Sequence, residues 1–306
     1  MIAKHIVILL SDKRSGSTIF QKELCKHPKV RHVSASRHTY YETQHWLKAA
    51  SLLDVPSPMF LAGTPYYPAA TARQYISDVI EANVPDFDTR CSDRALVFDG
   101  WEALADSAGS SVFFEKSPHH LSNWASLAVL LEWIEMTDRK VSILGLVRNP
   151  MAVLHSAWKR FGSDPGERQF AWSQTYLNWL AFKQLVPSEA VLELNYESII
   201  EKPRETFEHV CAHIGIESHS DLGSSIRSDT TDKWRNDTKF VLQIDPYVAQ
   251  VASRFGYSAG ALQNPPKPAL SWSERILSPA VASMRLKRIQ WMNRRVRPAF
   301  RRLMNR

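Results

Sequence analysis

Residues 6–18 read IVILLSDKRSGST, and this short stretch decides the fold and points to a site. Its first five residues are apolar, too few for a signal-peptide core or a membrane span, and they predict a buried first strand. A polar turn follows, and we expect a helix over about 17–26 that His27 and Pro28 end. A strand that turns directly into a helix leaves backbone N–H groups unpaired, and these form a site for an anion.

The turn itself carries the groups that an anionic ligand needs. Arg14 offers positive charge, Gly16 lets the backbone approach closely, and Ser17 and Thr18 offer hydroxyl groups next to the backbone amide of Ser15. A capped helix with a basic surface pair is the alternative for this segment alone. A Walker A loop needs an earlier Gly and a Lys that are both missing here, which disfavours an ordinary ATPase or kinase.

Apolar runs further along the chain repeat the pattern of a strand followed by a helix. Buried strands are predicted at 112–114, 141–147 and 191–194, and the last leads to a helix near 203–214 that Gly215 ends. Four such units predict an α/β protein with a doubly wound parallel sheet flanked by helices.

Residues 30–110 fit this rhythm poorly. Prolines crowd residues 56–68, and tyrosines and tryptophans cluster around them. We therefore expect one domain over 1–270 with a helical, aromatic insertion at about 35–110. The insertion is either a lid or a substrate-binding region.

A second basic segment follows the predicted strand 141–147. Arg148 lies at the carboxyl end of this strand, where open α/β sheets bind ligands. Pro150 is suited to start a helix, and Ser156 and Arg160 then share one helix face. These three polar side chains could bind a second phosphate. The alternative is that Arg148 is simply a solvated arginine at the end of its strand.

Together the two segments resemble the sulfotransferases that use 3′-phosphoadenosine 5′-phosphosulfate (PAPS). That family has a K/R-[ST]-G-[ST]-T loop for the 5′-phosphosulfate, here residues 14–18, and an Arg followed eight residues later by Ser for the 3′-phosphate, here Arg148 and Ser156. An Arg at position 14 is closest to the carbohydrate and tyrosylprotein types. The resemblance implies a P-loop-type sulfotransferase fold, PAPS as cofactor, the nucleotide PAP as product, and no metal.

Three further segments resemble the family in the expected order: 114–118 (FEKSP), 195–200 (NYESII) and 232–236 (DKWRN). The second lies beside the nucleotide in the family, and the third closes over it.

The resemblance therefore implies that Tyr196 and Trp234 pack near the nucleotide and that Lys233 and Arg160 contact the 3′-phosphate. A core tyrosine and a core tryptophan are the alternatives for the two aromatic residues.

For catalysis the resemblance implies that Arg14 and Lys116 are the cations at the leaving phosphate. A salt bridge between Lys116 and Glu115 is the alternative. The general base is left open between two residues. His119 follows the strand of Lys116, as in the aryl type, whereas Glu42 lies 28 residues after Arg14, the spacing of the heparan N-sulfotransferase type. We expect Glu42 to be the base.

The net charge of +7 is concentrated in residues 271–306, which hold ten Lys or Arg against the single acid Glu274. The remaining residues are nearly neutral, so a nucleic-acid-binding surface is not indicated. The tail predicts a basic amphipathic helical extension that contacts an anionic membrane or an acidic polymer. The alternative is a helix whose apolar stripe packs on the domain.

Three cysteines and no segment of 18 apolar residues favour a reduced, cytoplasmic protein, with a peripheral membrane contact left open through the tail. We expect a sulfotransferase acting on a hydroxyl or amine of a carbohydrate, a lipid glycoside or a secondary metabolite. Two other classes remain open at this point. One is a P-loop nucleotide or sugar kinase, and the other is a non-catalytic, membrane-peripheral protein that binds PAP.

Overall fold

The computed structural model describes residues 3–38, 40–56, 67–226 and 231–264. The predicted basic extension at 271–306 lies outside the described residues. At the centre is a parallel sheet of five strands in the order β2-β3-β1-β4-β5. The strands are β1 (His5–Ser11), β2 (Val30–Arg31), β3 (Val112–Lys116), β4 (Lys140–Val147) and β5 (Val191–Asn195).

Eleven α-helices of the described ranges accompany the sheet. They are α1 (Ser17–Leu24), α2 (His45–Leu52), α3 (Ala69–Asn83), α4 (Asp93–Ser107), α5 (Trp124–Met136), α6 (Pro150–Phe161), α7 (Pro165–Phe182), α8 (Tyr196–Glu201), α9 (Pro203–Ile214), α10 (Lys233–Asn236) and α11 (Pro246–Ser253). Short 3₁₀ turns occur at Ser188–Ala190 and Ala259–Leu262. None of the described helices is long and apolar enough to cross a lipid bilayer.

The predicted α/β fold is confirmed, because a parallel sheet carries apolar residues on both faces and helices cover them. All seven residues of β1 are buried, as the apolar run predicts. The expectation of four strands is one too few. The fifth, β2, pairs with β3 at the sheet edge over only two residues, Val30 and Arg31, so it has no periodicity to detect.

Helices α2, α3 and α4 lie in the region where an insertion is predicted. A cluster of buried tryptophans joins α2 and α4 to α5. The ring centre of Trp46 is 4.8 Å from that of Trp101 and 5.4 Å from that of Trp133. Trp101 also packs edge-on against Phe113 of β3, with ring centres 5.5 Å apart. The insertion is therefore built into the core rather than attached to its surface.

The sheet brings the ends of its central strands together. Because β1 lies between β3 and β4 and all three run parallel, their carboxyl ends meet at one edge. The loops that start at Asp12, Ser117 and Arg148 therefore lie side by side, and a ligand of an open α/β sheet is expected at this edge.

Candidate active site

The loop after β1 is held in shape by buried polar groups. The Asp12 carboxylate accepts hydrogen bonds from the backbone N–H of Lys13 (2.7 Å) and from Arg168 of α7 (2.5 Å). The Ser15 hydroxyl lies 3.0 Å from the Tyr176 hydroxyl, which donates to the Leu146 carbonyl oxygen at 2.9 Å. Sequence reasoning did not find these supports, because they come from α7, about 150 residues further along the chain.

Gly16 caps the start of α1 in a conformation that requires glycine. Its φ is +93°, and a Cβ added there would lie 2.2 Å from the ring of Tyr196. Tyr196 is almost fully buried at the start of α8. The predicted cofactor residue Tyr196 thus lies directly against the loop.

Two arginines and a serine meet beside this loop. Arg148 donates to the Arg14 carbonyl oxygen at 3.0 Å, and the Arg14 Nε donates to the Ser156 hydroxyl at 3.0 Å. The Arg148 guanidinium lies 4.1 Å from the centre of the Tyr196 ring. Burial lowers the pKa of Arg14, and Arg160 and Arg148 lower it further, because their charges repel it. An anion bound here would relieve that repulsion.

Lys116 at the end of β3 faces the same loop. Its Nζ donates to Glu42 Oε1 at 2.8 Å and to the Thr18 hydroxyl at 3.4 Å. The lysine side chain is fully buried, and the Glu42 side chain is 13% exposed. The alternative partner Glu115 is wrong, because adjacent residues of a strand point to opposite faces of the sheet.

One cavity of about 290 Å³ is lined by several of these groups, among them Arg14, Thr18 and Glu42. His119 lines it with Glu42, Tyr40 and Arg148. Burial holds the pKa of His119 down to about 2, with further lowering by Lys13 and by His120. Its imidazole is therefore neutral at physiological pH. The complete lining is Lys13, Arg14, Gly16, Ser17, Thr18, Ile19, Tyr40, Glu42, Pro118, His119, Arg148, Phe161 and Tyr196.

The remaining predicted residues lie on or next to α6. Arg160 is exposed on that helix, close enough to affect Arg14. Trp234 is buried with Met151 and Leu154 beneath α6. Lys233 lines a separate, shallow cavity with Lys159, and this cavity shares no lining residue with the first one. The structure thus brings most of the predicted residues together and leaves Lys233 and Trp234 apart from them.

A buried carboxyl group behind Glu42 has no counterpart among the predicted residues. Glu115 accepts hydrogen bonds from the Thr43 hydroxyl (2.9 Å) and the Ser117 hydroxyl (2.5 Å), and Ser117 in turn accepts one from the Gln44 backbone N–H (2.9 Å). These bonds fix the segment next to Glu42 to the end of β3. Burial raises the pKa of Glu115 to about 7, although its hydrogen bonds oppose the shift.

The raised pKa predicts a dependence of stability on pH. Between its ordinary pKa of 4.5 and about 7, Glu115 keeps a proton that the unfolded chain releases. The free energy of unfolding therefore falls as pH rises through this window, by up to about 1.4 kcal/mol per pH unit. Glu115→Gln should remove this slope in urea unfolding at pH 5, 6 and 7. Glu205→Gln, at an exposed ion pair, is the control and should keep it. Equal slopes in wild type and Glu115→Gln would contradict a raised pKa.

Among the residues that the structure describes, no group of three His, Cys, Asp or Glu is arranged to hold a metal ion. The site is instead defined by cations and one carboxylate around a turn between strand and helix. Fold and site together define an α/β protein with a cationic strand-to-helix turn at the carboxyl end of β1, where an anionic ligand is expected.

Comparisons with known proteins identify the family. The model of the Sulfotransferase family matches residues 7–221, most of the chain, and the protein belongs to this family. No curated protein sequence matches it. Among solved structures, the sulfotransferase domain of the Synechococcus PCC 7002 olefin synthase is similar at 20% identity with a TM-score of 0.57, covering 84% of this chain and 96% of that domain. The sulfotransferase domain of the curacin biosynthetic pathway is similar at 16% identity with a TM-score of 0.56, covering 84% of this chain and 99% of that domain. These likenesses concern the fold.

Proposed function

We propose that the protein transfers the sulfuryl group of PAPS to a hydroxyl or amine acceptor. The observation that carries the proposal is the ion pair of Lys116 and Glu42. Lys116 Nζ also donates to the hydroxyl of Thr18, which belongs to residues 14–18, the anion loop. These contacts bring a buried cation and a carboxylate together next to the anion loop. PAPS supplies an activated sulfuryl group on a phosphate, and the transfer needs both kinds of side chain.

The residues of the cavity fit a nucleotide with phosphates at two positions. In the proposal, Arg14 and the backbone N–H groups and hydroxyls of 15–18 hold the 5′-phosphate side. Arg148, Ser156 and Arg160 hold the 3′-phosphate, and Tyr196 packs beside them. The lowered pKa of Arg14 supports this assignment, since neighbouring cations that repel each other favour an anionic ligand.

In the proposed chemical step, Glu42 acts on the acceptor, and Arg14 and Lys116 act on the leaving phosphate. Glu42 accepts the proton of the acceptor hydroxyl while that oxygen bonds to sulfur and the bond from sulfur to the phosphate oxygen breaks. Arg14 and Lys116 stabilise the negative charge that develops on the phosphate. Positioning and fixed charge supply most of the catalysis, as in phosphoryl transfer.

A carboxylate base suits acceptors with alcohol groups, so the proposal favours a carbohydrate, a lipid glycoside or a secondary metabolite. A neutral His119 with a pKa near 2 is a weak base, which supports Glu42 over His119. Contact of the tail at 271–306 with an anionic membrane or polymer remains a prediction.

Calorimetric titration with PAP, and separately with ATP and Mg²⁺, tests the proposed cofactor. Arg148→Ala should weaken PAP binding by roughly 10–150-fold, because it removes a charge-assisted contact of about 1.5–3 kcal/mol. Arg204→Ala, at an exposed ion pair on α9, should bind PAP as wild type does. Tighter binding of ATP than of PAP, with a requirement for Mg²⁺, would contradict the proposed function and favour a kinase.

A further inference from the structure

Lys48 is a buried lysine on α2, the helix that begins three residues after Glu42. Lys48 is only 2% exposed. Its ammonium lies against the ring of Tyr67 and 4.6 Å from the centre of the Tyr75 ring. Two aromatic rings stabilise an ammonium through their faces but do not neutralise its charge.

Within the part of the chain that the structure describes, no carboxylate forms an ion pair with this ammonium. Burial lowers the pKa of Lys48 to about 7, and the one charged group that adds to the shift is Arg37, a second cation. Within the described ranges the ammonium forms no hydrogen bond and no ion pair with another residue. A buried charge without a partner is destabilising, and such a group is more typical of a ligand site than of a core.

Contacts between neighbouring side chains lead from Lys48 to Glu42, which lines the cavity. The ring of Tyr75 lies 6.4 Å from the His38 ring, and His38 Nδ1 is 4.0 Å from Glu42 Oε2. Lys48 also lowers the pKa of His119, which lines the cavity. Lys48 and Tyr75 therefore lie on the side of Glu42 that faces away from the anion loop.

Arg37 adds a second positive group to this side. Its guanidinium lies 5.4 Å from the centre of the Tyr75 ring, and it forms an ion pair with Asp78 of α3. Arg37 thus has its own carboxylate, and the uncompensated charge belongs to Lys48. The chemistry that would compensate the charge of Lys48 is an anionic group.

From this placement we propose that Lys48 binds a carboxylate or phosphate group carried by the acceptor. The inference rests on the proposed function, because it assumes that the acceptor hydroxyl is at Glu42. It narrows the acceptor to an alcohol or amine that also bears an anionic group.

Thermal unfolding of the full chain in saturating PAP tests this site, since PAP keeps added anions out of the cofactor site. The variants are Lys48→Met and, as a matched control, Lys183→Met, whose ammonium is paired with Glu193. The probes are sodium acetate and inorganic phosphate, compared with chloride at equal ionic strength. Acetate represents a carboxylate acceptor and phosphate represents a phosphorylated one.

In chloride, Lys48→Met should melt at or above the wild-type temperature, because it removes an uncompensated buried charge. Lys183→Met should melt at or below it. Acetate or phosphate at about ten times its Kd should raise the melting temperature of wild type by roughly 3–6 °C and leave Lys48→Met unchanged relative to chloride. The control shows how much stabilisation is a general salt effect.

Two results would overturn the proposal: a Lys48→Met variant that melts several degrees below wild type in chloride, or equal stabilisation of both proteins by the anions. Failure of PAP to bind in calorimetry is a separate outcome. It would remove the proposed function, and the anion response would then be measured without PAP and would still decide whether Lys48 binds an anion.

Discussion

Glu42→Gln is expected to lower kcat by about 10²–10⁴-fold while changing PAP affinity little. The amide keeps the size of the side chain and an oxygen that can accept the hydrogen bond of Lys116. It cannot take up a proton from the acceptor. The measurement is sulfuryl transfer from radiolabelled PAPS to the best acceptor of a panel of hydroxylated carboxylates and phosphates, with PAP calorimetry on the same protein.

His119→Asn and Glu205→Gln complete this comparison. Glu205 is exposed on α9, so its variant should keep wild-type turnover. If Glu42→Gln turns over at a near-normal rate and His119→Asn does not, the base is His119. The burial that depresses the pKa of His119 would then have to be relieved when substrates bind.

Gly16→Ala is expected to damage both the fold and the site. The added methyl group would overlap the Tyr196 ring, and the φ of +93° is strained for any residue with a side chain. Each penalty is about 1–3 kcal/mol, so the free energy of unfolding should fall by about 2–6 kcal/mol. PAP affinity should fall by at least about tenfold, because Tyr196 and the first turn of α1 both move.

Gly109→Ala separates the two causes. Gly109 has a φ of +64°, and a Cβ added there meets no atom within 4 Å. This variant should lose only the conformational part of the stability and keep wild-type PAP affinity. Urea unfolding and calorimetry measure both quantities. If both variants lose the same stability and the same PAP affinity, the contact of the added methyl group with Tyr196 contributes to neither loss.

Much of the fold could be predicted because its signals are local. The buried run of β1 and the glycine that ends α9 each depend on a few consecutive residues, and Gly215 has the left-handed conformation expected of such a stop. Pro150 occupies the first turn of α6, where its missing N–H does no harm. These features need no knowledge of distant contacts.

The contacts of the site were harder to predict because they join distant parts of the chain. Glu42 and Lys116 are separated by 74 residues, and no local sequence pattern shows which strand end faces the loop before α2. The family resemblance predicted both residues as catalytic residues, but their ion pair is visible only in the structure. Lys48 belongs to no recognisable motif, and the burial that makes both Lys48 and Glu115 unusual is visible only in the structure.

The packing of Trp46, Trp101 and Trp133 has a consequence for selectivity. Glu42 lies three residues before the start of α2, and Lys48 lies within this helix. Trp46 packs the same helix against α4 and α5. Separating the rings would lose about 0.5–1.5 kcal/mol per pair beyond the loss of buried area. The spacing between the proposed base and the proposed anion contact is therefore set when the chain folds. Under the proposed function, this fixed spacing selects acceptors by the distance between their reacting group and their anionic group.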